Sequence, residues 1–250
     1  GHLINYLKNS LNELGVKIKL RKIATVESVQ AFNPDHVIVA VGANRDAPSI
    51  KGKNGKNAFD GEQLRGLLFG SSANAINKLS IFKQLIIKIG KASQLLRNIS
   101  TLRFLSKIWM PLSKNIVVIG GDLVGLELAE FLVERGRTVK VLEPSSSLGP
   151  NLSIVRRSRV VHILREHGVE LLTNVMIKEI CDQEVIFNHE ETEKSLQADQ
   201  VIIALGTNTN LELSDELKRL NIPLTSIGDC TSVGYIHGAI ADARKAVIDL

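Results

Sequence analysis

Apolar positions along the chain fall into two periods. Leu3, Ile4, Leu7, Leu11 and Leu14 recur at helical spacing, which predicts an amphipathic helix over residues 2–14 that Gly15 ends. Short apolar runs at 16–20 and 36–41 read as strands, and 44–61, with Pro48, Gly52, Gly55 and Gly61, reads as loop. Further along, the pattern predicts strands at 115–119 and 138–142 around a helix at 123–135 that Gly136 stops. A helix at 152–167 leads to a strand at 169–173. Residues 175–203 hold short strands with polar turns such as Asn188-His189-Glu190-Glu191. A strand at 224–227 and a helix at 235–250 close the chain. Strands alternating with helices imply an α/β fold with Rossmann-like parallel sheets covered on both faces.

Two stretches repeat one another. Leu11-Asn12-Glu13-Leu14-Gly15-Val16 leads to Asp35-His36-Val37-Ile38-Val39-Ala40-Val41-Gly42-Ala43. Leu164-Arg165-Glu166-His167-Gly168-Val169 leads to Asp199-Gln200-Val201-Ile202-Ile203-Ala204-Leu205-Gly206-Thr207. Each copy reads as a helix end, a glycine stop, a strand, and a buried strand running into glycine. Only the second copy is preceded by a glycine loop, Gly120-Gly121-Asp122-Leu123-Val124-Gly125, with Gly120 lying 48 residues before Gly168. The same offset from Gly15 falls before residue 1. The chain is therefore expected to begin inside its first domain, with the corresponding loop upstream.

Composition narrows the function classes. Aromatics are only 4% of the chain, and the apolar weight lies in Ile, Leu and Val, as parallel strands buried on both faces require. Two cysteines, Cys181 and Cys230, without a Cys-x-x-Cys, argue against a disulfide framework, a zinc site or a redox dithiol, and point to a reducing cytoplasm. No apolar run approaches the ~20 residues needed to span a bilayer. The net charge of +5 is concentrated between residues 61 and 114, where Arg65, Lys78, Lys83, Lys88, Lys91, Arg97, Arg103, Lys107 and Lys114 face one acid, Glu62. The remainder is slightly acidic, so a nucleic-acid partner is not expected. Residues 62–112 read as mostly helical: Ile81, Phe82, Leu85, Ile86 and Ile89 share one face, and Leu95, Leu96, Ile99 and Leu102 mark a second piece. That insert reads first as packing between domains, then as a docking surface, and least as a contact with an anionic membrane surface.

The glycine loop carries the candidate chemistry. It follows an apolar strand, opens a helix, and is followed 23 residues after Gly120 by Glu143 at the end of the next strand. Gly120 suits the tight turn, Gly125 the close approach of helix to strand, and Glu143 the adenosine ribose hydroxyls. Pro144-Ser145-Ser146-Ser147 brings no cation for a 2′-phosphate, which favours NADH over NADPH. The middle glycine of the pattern is Asp122. A carboxylate ~4 Å from a phosphate costs ~1 kcal/mol in water and ~4 kcal/mol at an effective dielectric near 20. Either Asp122 turns away and caps the helix, weakening the site, or the site no longer takes a dinucleotide.

The segments 120–130 and 135–143, with Val39-Ala40-Val41-Gly42-Ala43 and Ile227-Gly228-Asp229-Cys230, resemble the two-dinucleotide flavoproteins. The likeness is greatest to the C-terminal half of the 2,4-dienoyl-CoA reductase, trimethylamine dehydrogenase and enoate reductase family. It implies a complete NAD(P)-binding domain at 115–207 inserted in a partial FAD-binding domain, 1–60 with 208–250, and a basic helical insert at 61–114. It further implies hydride transfer from NADH to FAD, then electron transfer to FMN and an iron–sulfur cluster on an N-terminal barrel absent from these residues, and finally reduction of an unsaturated substrate. By the same resemblance Gly121 belongs to the nucleotide loop and Glu127 lies near the nicotinamide end. Gly206 and Thr207 border the NAD cleft, Gly42 and Ala43 line the flavin edge, and Gly228-Asp229 meets the ribityl chain. Thr207-Asn208-Thr209-Asn210 lacks the proline usual there. Two other readings stay open: a non-catalytic nucleotide-binding or interaction module, and a ferredoxin-reductase type of flavoprotein. Cys230 reads as a small buried residue, and His162, His167 and His237 read as packing or surface residues. No metal site and no side-chain catalyst are expected, because flavin chemistry needs few.

Overall fold

The computed structural model describes residues 2–44, 47–68, 73–79, 84, 106–150 and 152–250. The chain divides into two units, Ala43–Asn208 and the combination of Gly1–Gly42 with Thr209–Leu250. The expected apolar faces at 81–89 and 95–102 lie outside the described residues, which include only Gln84 in those ranges.

With β1 (Val37–Val39) in the first unit, the strands of the second unit's parallel sheet are β2 (Ala58–Asp60), β3 (Asn115–Ile119), β4 (Thr138–Leu142), β5 (Glu170–Leu172) and β9 (Gln200–Ile203). They form one parallel sheet in the order β2-β9-β3-β4-β5. Every apolar residue of β3 is buried, and its side chains alternate between two cores. Ile116 and Val118 pack with Leu126, Leu132 and Leu164 from the helices Leu123–Val133 and Ile154–Glu166. Val117 and Ile119 pack with Val175, Val185 and Phe187 on the opposite face. Fully burying one such side chain contributes about 1.5–3 kcal/mol. That opposite face is covered by an antiparallel sheet of β6 (Met176–Ile180), β7 (Glu184–His189) and β8 (Thr192–Gln197).

Three local expectations change. Residues 44–61 contain β2, which is drawn into the sheet by the register Ala58↔Val201 and Phe59↔Ile202. Phe59 is fully buried there. Lys78, just beyond the short helix Ala73–Asn77, fastens this edge: its ammonium donates to Ala58 O at 2.6 Å and Gln63 Oε1 at 3.0 Å. Residues 16–20 form no strand, and they are exposed. A helix that periodicity does not single out, Val26–Phe32, is set by a capping box in which the Thr25 hydroxyl accepts from the Ser28 amide.

The first unit pairs β1 in parallel with β10 (Leu224–Ser226), Val37 opposite Leu224. The same unit contains the helices His2–Glu13, Val26–Phe32, Glu212–Arg219 and Tyr235–Ile248, of which Glu212–Arg219 packs against β10. The repeat is visible at atomic level. The Val16 amide donates to Leu11 O and the Val169 amide to Leu164 O, while Gly15 and Gly168 take φ of 67° and 71°. Both helix ends are therefore closed by the same left-handed glycine turn. Among the described residues no helix is long and apolar enough to cross a membrane.

Hereafter the helices are α1 (His2–Glu13), α2 (Val26–Phe32), α3 (Gly61–Leu68), α4 (Ala73–Asn77), α5 (Leu123–Val133), α6 (Ile154–Glu166), α7 (Glu212–Arg219) and α8 (Tyr235–Ile248).

Candidate functional site

The glycine loop stands at the carboxyl ends of β3, β4 and β9, where open α/β sheets receive ligands. Gly120 has φ of +114°, and a Cβ there would meet Ala204 O at 2.8 Å. A Cβ on Gly125 would stand inside the contact radius of Gly120 O, so only glycine lets α5 begin this close to the loop. A Cβ on Gly121 would meet Leu148 Cδ2 at 2.6 Å. The loop is anchored below by the Gly120 amide, which donates to Leu142 O at 2.8 Å. The glycines let the loop pack closely on Ala204, Leu148 and the start of α5, and through Asp122 at the N-cap it leads into the positive end of that helix, which fits the pyrophosphate of a dinucleotide.

Glu143 ends β4 and is only 6% exposed. Its Oε2 accepts from the Gly121 amide at 2.5 Å and its Oε1 from the Ser145 amide at 2.7 Å. The loop that follows folds back onto the glycines, with the Gly149 amide donating to Gly121 O at 2.8 Å. The sequence pattern contained Glu143 but not this clamp, whose partners Ser145 and Gly149 lie in a run without periodicity.

Asp122 occupies the N-cap position of α5 with extended backbone, φ −87° and ψ −170°. Its side chain does not bond the first-turn amides, so the capping expected of it is not made. Glu127, one turn into α5, forms an ion pair with Arg156 of α6. Gly206 follows β9 with φ of 88°. Thr207 leads to Asn208, which exchanges two backbone hydrogen bonds of 2.8 Å with Asn44, next to Ala43. Gly120, Gly121, Asp122, Gly125, Glu143 and the start of the Gly206-Thr207 turn thus gather at one end of the central sheet.

In the first unit, Gly42 follows β1 with φ of 75°, and Gly228 follows β10 with φ of 70°. The Gly228 amide donates to Asp242 Oδ2 at 3.0 Å. Asp229 Oδ1 accepts from the amides of Gly234 and Tyr235 at 2.9 and 3.0 Å, holding the start of α8. Asp242 was not singled out in the sequence, because it sits in a helix with no motif of its own. Cys230 is fully buried, its Sγ 3.1 Å from Ile227 O, as a small packing residue. Among the described residues no group of His, Cys, Asp and Glu is arranged to hold a metal ion.

A family profile described as pyridine nucleotide-disulphide oxidoreductase matches residues 3–231. The chain belongs to the pyridine nucleotide-disulphide oxidoreductase family. The bilirubin reductase of Mediterraneibacter gnavus is 29% identical over 244 residues that cover 98% of this chain and 31% of that protein. The NADH oxidase of Thermoanaerobacter brockii is 26% identical, covering 95% of this chain and 31% of its own length. Among solved structures, a 2-naphthoyl-CoA reductase complex matches with a TM-score of 0.74 at 24% identity, over 99% of this chain and 32% of that one. The histamine dehydrogenase of Rhizobium sp. 4-9 matches with a TM-score of 0.64 at 14% identity, over 92% of this chain and 31% of that one. These two structures share the fold. The chain spans about a third of the length of these relatives.

Proposed function

We propose that the chain is the electron-input part of a larger NADH-dependent flavin oxidoreductase, of the kind that couples FAD to an FMN barrel with an iron–sulfur cluster and reduces an unsaturated substrate. The observation that carries this reading is the side-chain-free cradle of Gly120, Gly121 and Gly125 with Glu143 clamped beside it. The relatives named NADH oxidase, bilirubin reductase and cinnamate reductase support it, as does their greater length.

When bound, NADH supplies a hydride and FAD accepts it, so the protein's task is binding, orientation and electrostatics. With the Gly120 and Gly121 amides already committed, the first-turn amides of α5 would take the pyrophosphate. Glu143 would receive ribose hydroxyls and favour NADH over NADPH. Gly206 and Thr207 would border the nicotinamide cleft, with Glu127 toward its nicotinamide end. Gly42, Ala43 and Gly228 would line the flavin edge. Asp229, with Oδ1 committed to α8, would offer Oδ2 to the ribityl chain. The protein would work in the cytoplasm, with its small-molecule cofactor and its barrel domain as partners.

Purified full-length protein should be yellow, and the flavin band should bleach on anaerobic addition of NADH. Colourless protein that gives no heat on titration with NADH would overturn the proposal and favour a non-catalytic interaction module.

A further inference from the structure

The chain passes between its two units twice, after Gly42 and after Asn208. Both crossings run through one short antiparallel contact. The Asn44 amide donates to Asn208 O and the Asn208 amide to Asn44 O, each at 2.8 Å. These asparagines are equivalent positions of the internal repeat, each two residues beyond the glycine that follows β1 or β9. An antiparallel pair of equivalent residues has a local two-fold axis, so the two crossings enter the contact alike from opposite directions. The glycines, Gly42 and Gly206, take φ of 75° and 88°. A Cβ on Gly42 would meet nothing within 4 Å, so backbone conformation and not lack of space calls for glycine there.

Firm attachments lie on either side of this contact. In the first unit the Ile227 amide donates to Val39 O and the Asn210 amide to Cys230 O, both at 3.0 Å. In the second unit the Ala204 amide donates to Ile119 O at 2.7 Å. Between these anchors, Val41, Gly42, Ala43 and Thr209 make no backbone hydrogen bond among the described residues. Asn44, Thr207, Asn208 and Thr209 are exposed, and no proline stiffens residues 206–210. Solvent-exposed hydrogen bonds flanked by unbonded residues open at low free energy. A few such residues suffice to absorb the φ/ψ change of a rigid-body rotation. On the returning strand the slack is a single residue, Thr209, held between Asn208 and Asn210.

We propose that the Asn44–Asn208 contact and Thr209 form a hinge on which one unit turns relative to the other, and that this turn gates flavin reduction. The gating rests on the reading that NADH is held by the unit Ala43–Asn208 and FAD by the other. Hydride transfer from NADH to FAD, leaving NAD+ and reduced flavin, requires a nicotinamide carried by one unit to meet a flavin carried by the other. Rotation at such a hinge can then set the rate ahead of the chemical step.

Two opposite substitutions at Thr209 test this. Thr209→Pro has no amide bond to lose, and Asn208 before it is already strand-paired, the extended state that a following proline favours. The ring then holds φ to within about 15°. Thr209→Gly loosens the same position. Spin labels carried on introduced ketone side chains at the exposed Arg159 of α6 and Glu216 of α7 report the distance between units in the full-length protein, by double electron–electron resonance. The expected result is a narrower distance distribution for Thr209→Pro and a broader one for Thr209→Gly than for the native protein. Stopped-flow reduction of the flavin by NADH should be slower in Thr209→Pro at unchanged NADH affinity. Either variant alone carries the test if the other does not fold. If NADH gives no heat on titration while the variants still reshape the distribution, the nucleotide reading fails and the hinge stands. Identical distributions in native and variant proteins overturn the hinge, and equal rates of flavin reduction overturn the gating.

Discussion

The Glu143 carboxylate receives the Gly121 amide at 2.5 Å, joining the end of β4 to the glycine loop. With the Ser145 amide on its other oxygen, it organises the cradle that it would also use to bind ribose. A hydrogen bond to a charged group is worth about 1.5–3 kcal/mol, and a buried amide left without its acceptor costs about as much. Glu143→Ala should therefore lower thermal stability as well as weaken NADH binding. Calorimetric unfolding and NADH titration on the same preparations check both. Loss of NADH affinity with an unchanged melting temperature would show that the clamp contributes nothing to the fold.

Gly125→Ala places a methyl group against Gly120 O, where backbone cannot yield cheaply. Relief requires α5 to move off β3 and disturbs the core around Leu126 and Leu132. Overpacking of this kind typically costs about 1–3 kcal/mol. Urea unfolding should show a lower midpoint, and NADH affinity should fall with it.

Asp122 needs no left-handed backbone and makes no capping bond. Asp122→Gly removes a negative charge from the loop at a stability cost of only a few tenths of a kcal/mol. If a phosphate lies nearby, the gain in binding is about 1 kcal/mol or more, roughly fivefold. Titration with NADH should show tighter binding; unchanged or weaker affinity would contradict this role for Asp122.

Asp229 and Asp242 lock Gly228 and α8 from opposite ends. Asp242→Ala removes the acceptor of the Gly228 amide without touching the oxygen offered to the flavin. Thermal unfolding should register a loss of about 1–3 kcal/mol. Flavin retention should fall more for Asp229→Ala than for Asp242→Ala, read from the flavin-to-protein absorbance ratio after desalting.

Burial holds the Lys78 ammonium below the ordinary lysine range, against a smaller opposing pull from Asp60. The native state then binds fewer protons than the unfolded chain as pH approaches the unfolded value. Stability attributable to this group must rise with pH through that window. As pH rises toward the unfolded lysine value of about 10.4, the urea midpoint of the native protein should climb relative to that of Lys78→Met, which cannot titrate. Parallel pH profiles for the two proteins would refute the linkage.

Much of the central sheet is legible in the residues themselves. Ile116–Ile119 and Gln200–Ile203 are runs that only a two-sided interior accepts, and each is buried as its composition demands. The repeated Leu-to-Val closure at Gly15 and Gly168 is equally local. The strand expected at 16–20 shows the boundary: the second copy's Glu170–Leu172 is a strand because Lys140–Leu142 pairs with it, and residues 16–20 have no such partner among the described residues.

Local sequence therefore determined where strands turn into glycine and which residues open α5, because side-chain period and backbone freedom act over a few neighbours. Tertiary structure decided the rest. It drew Ala58–Asp60 into the sheet, folded Gly149 onto Gly121, turned Glu143 inward, and set Arg157 and Arg165 beside Ser146 and Ser147. Each of these depends on pairing register and loop packing between segments distant in sequence, where hydrogen bonds and burial are settled only when the whole sheet is assembled.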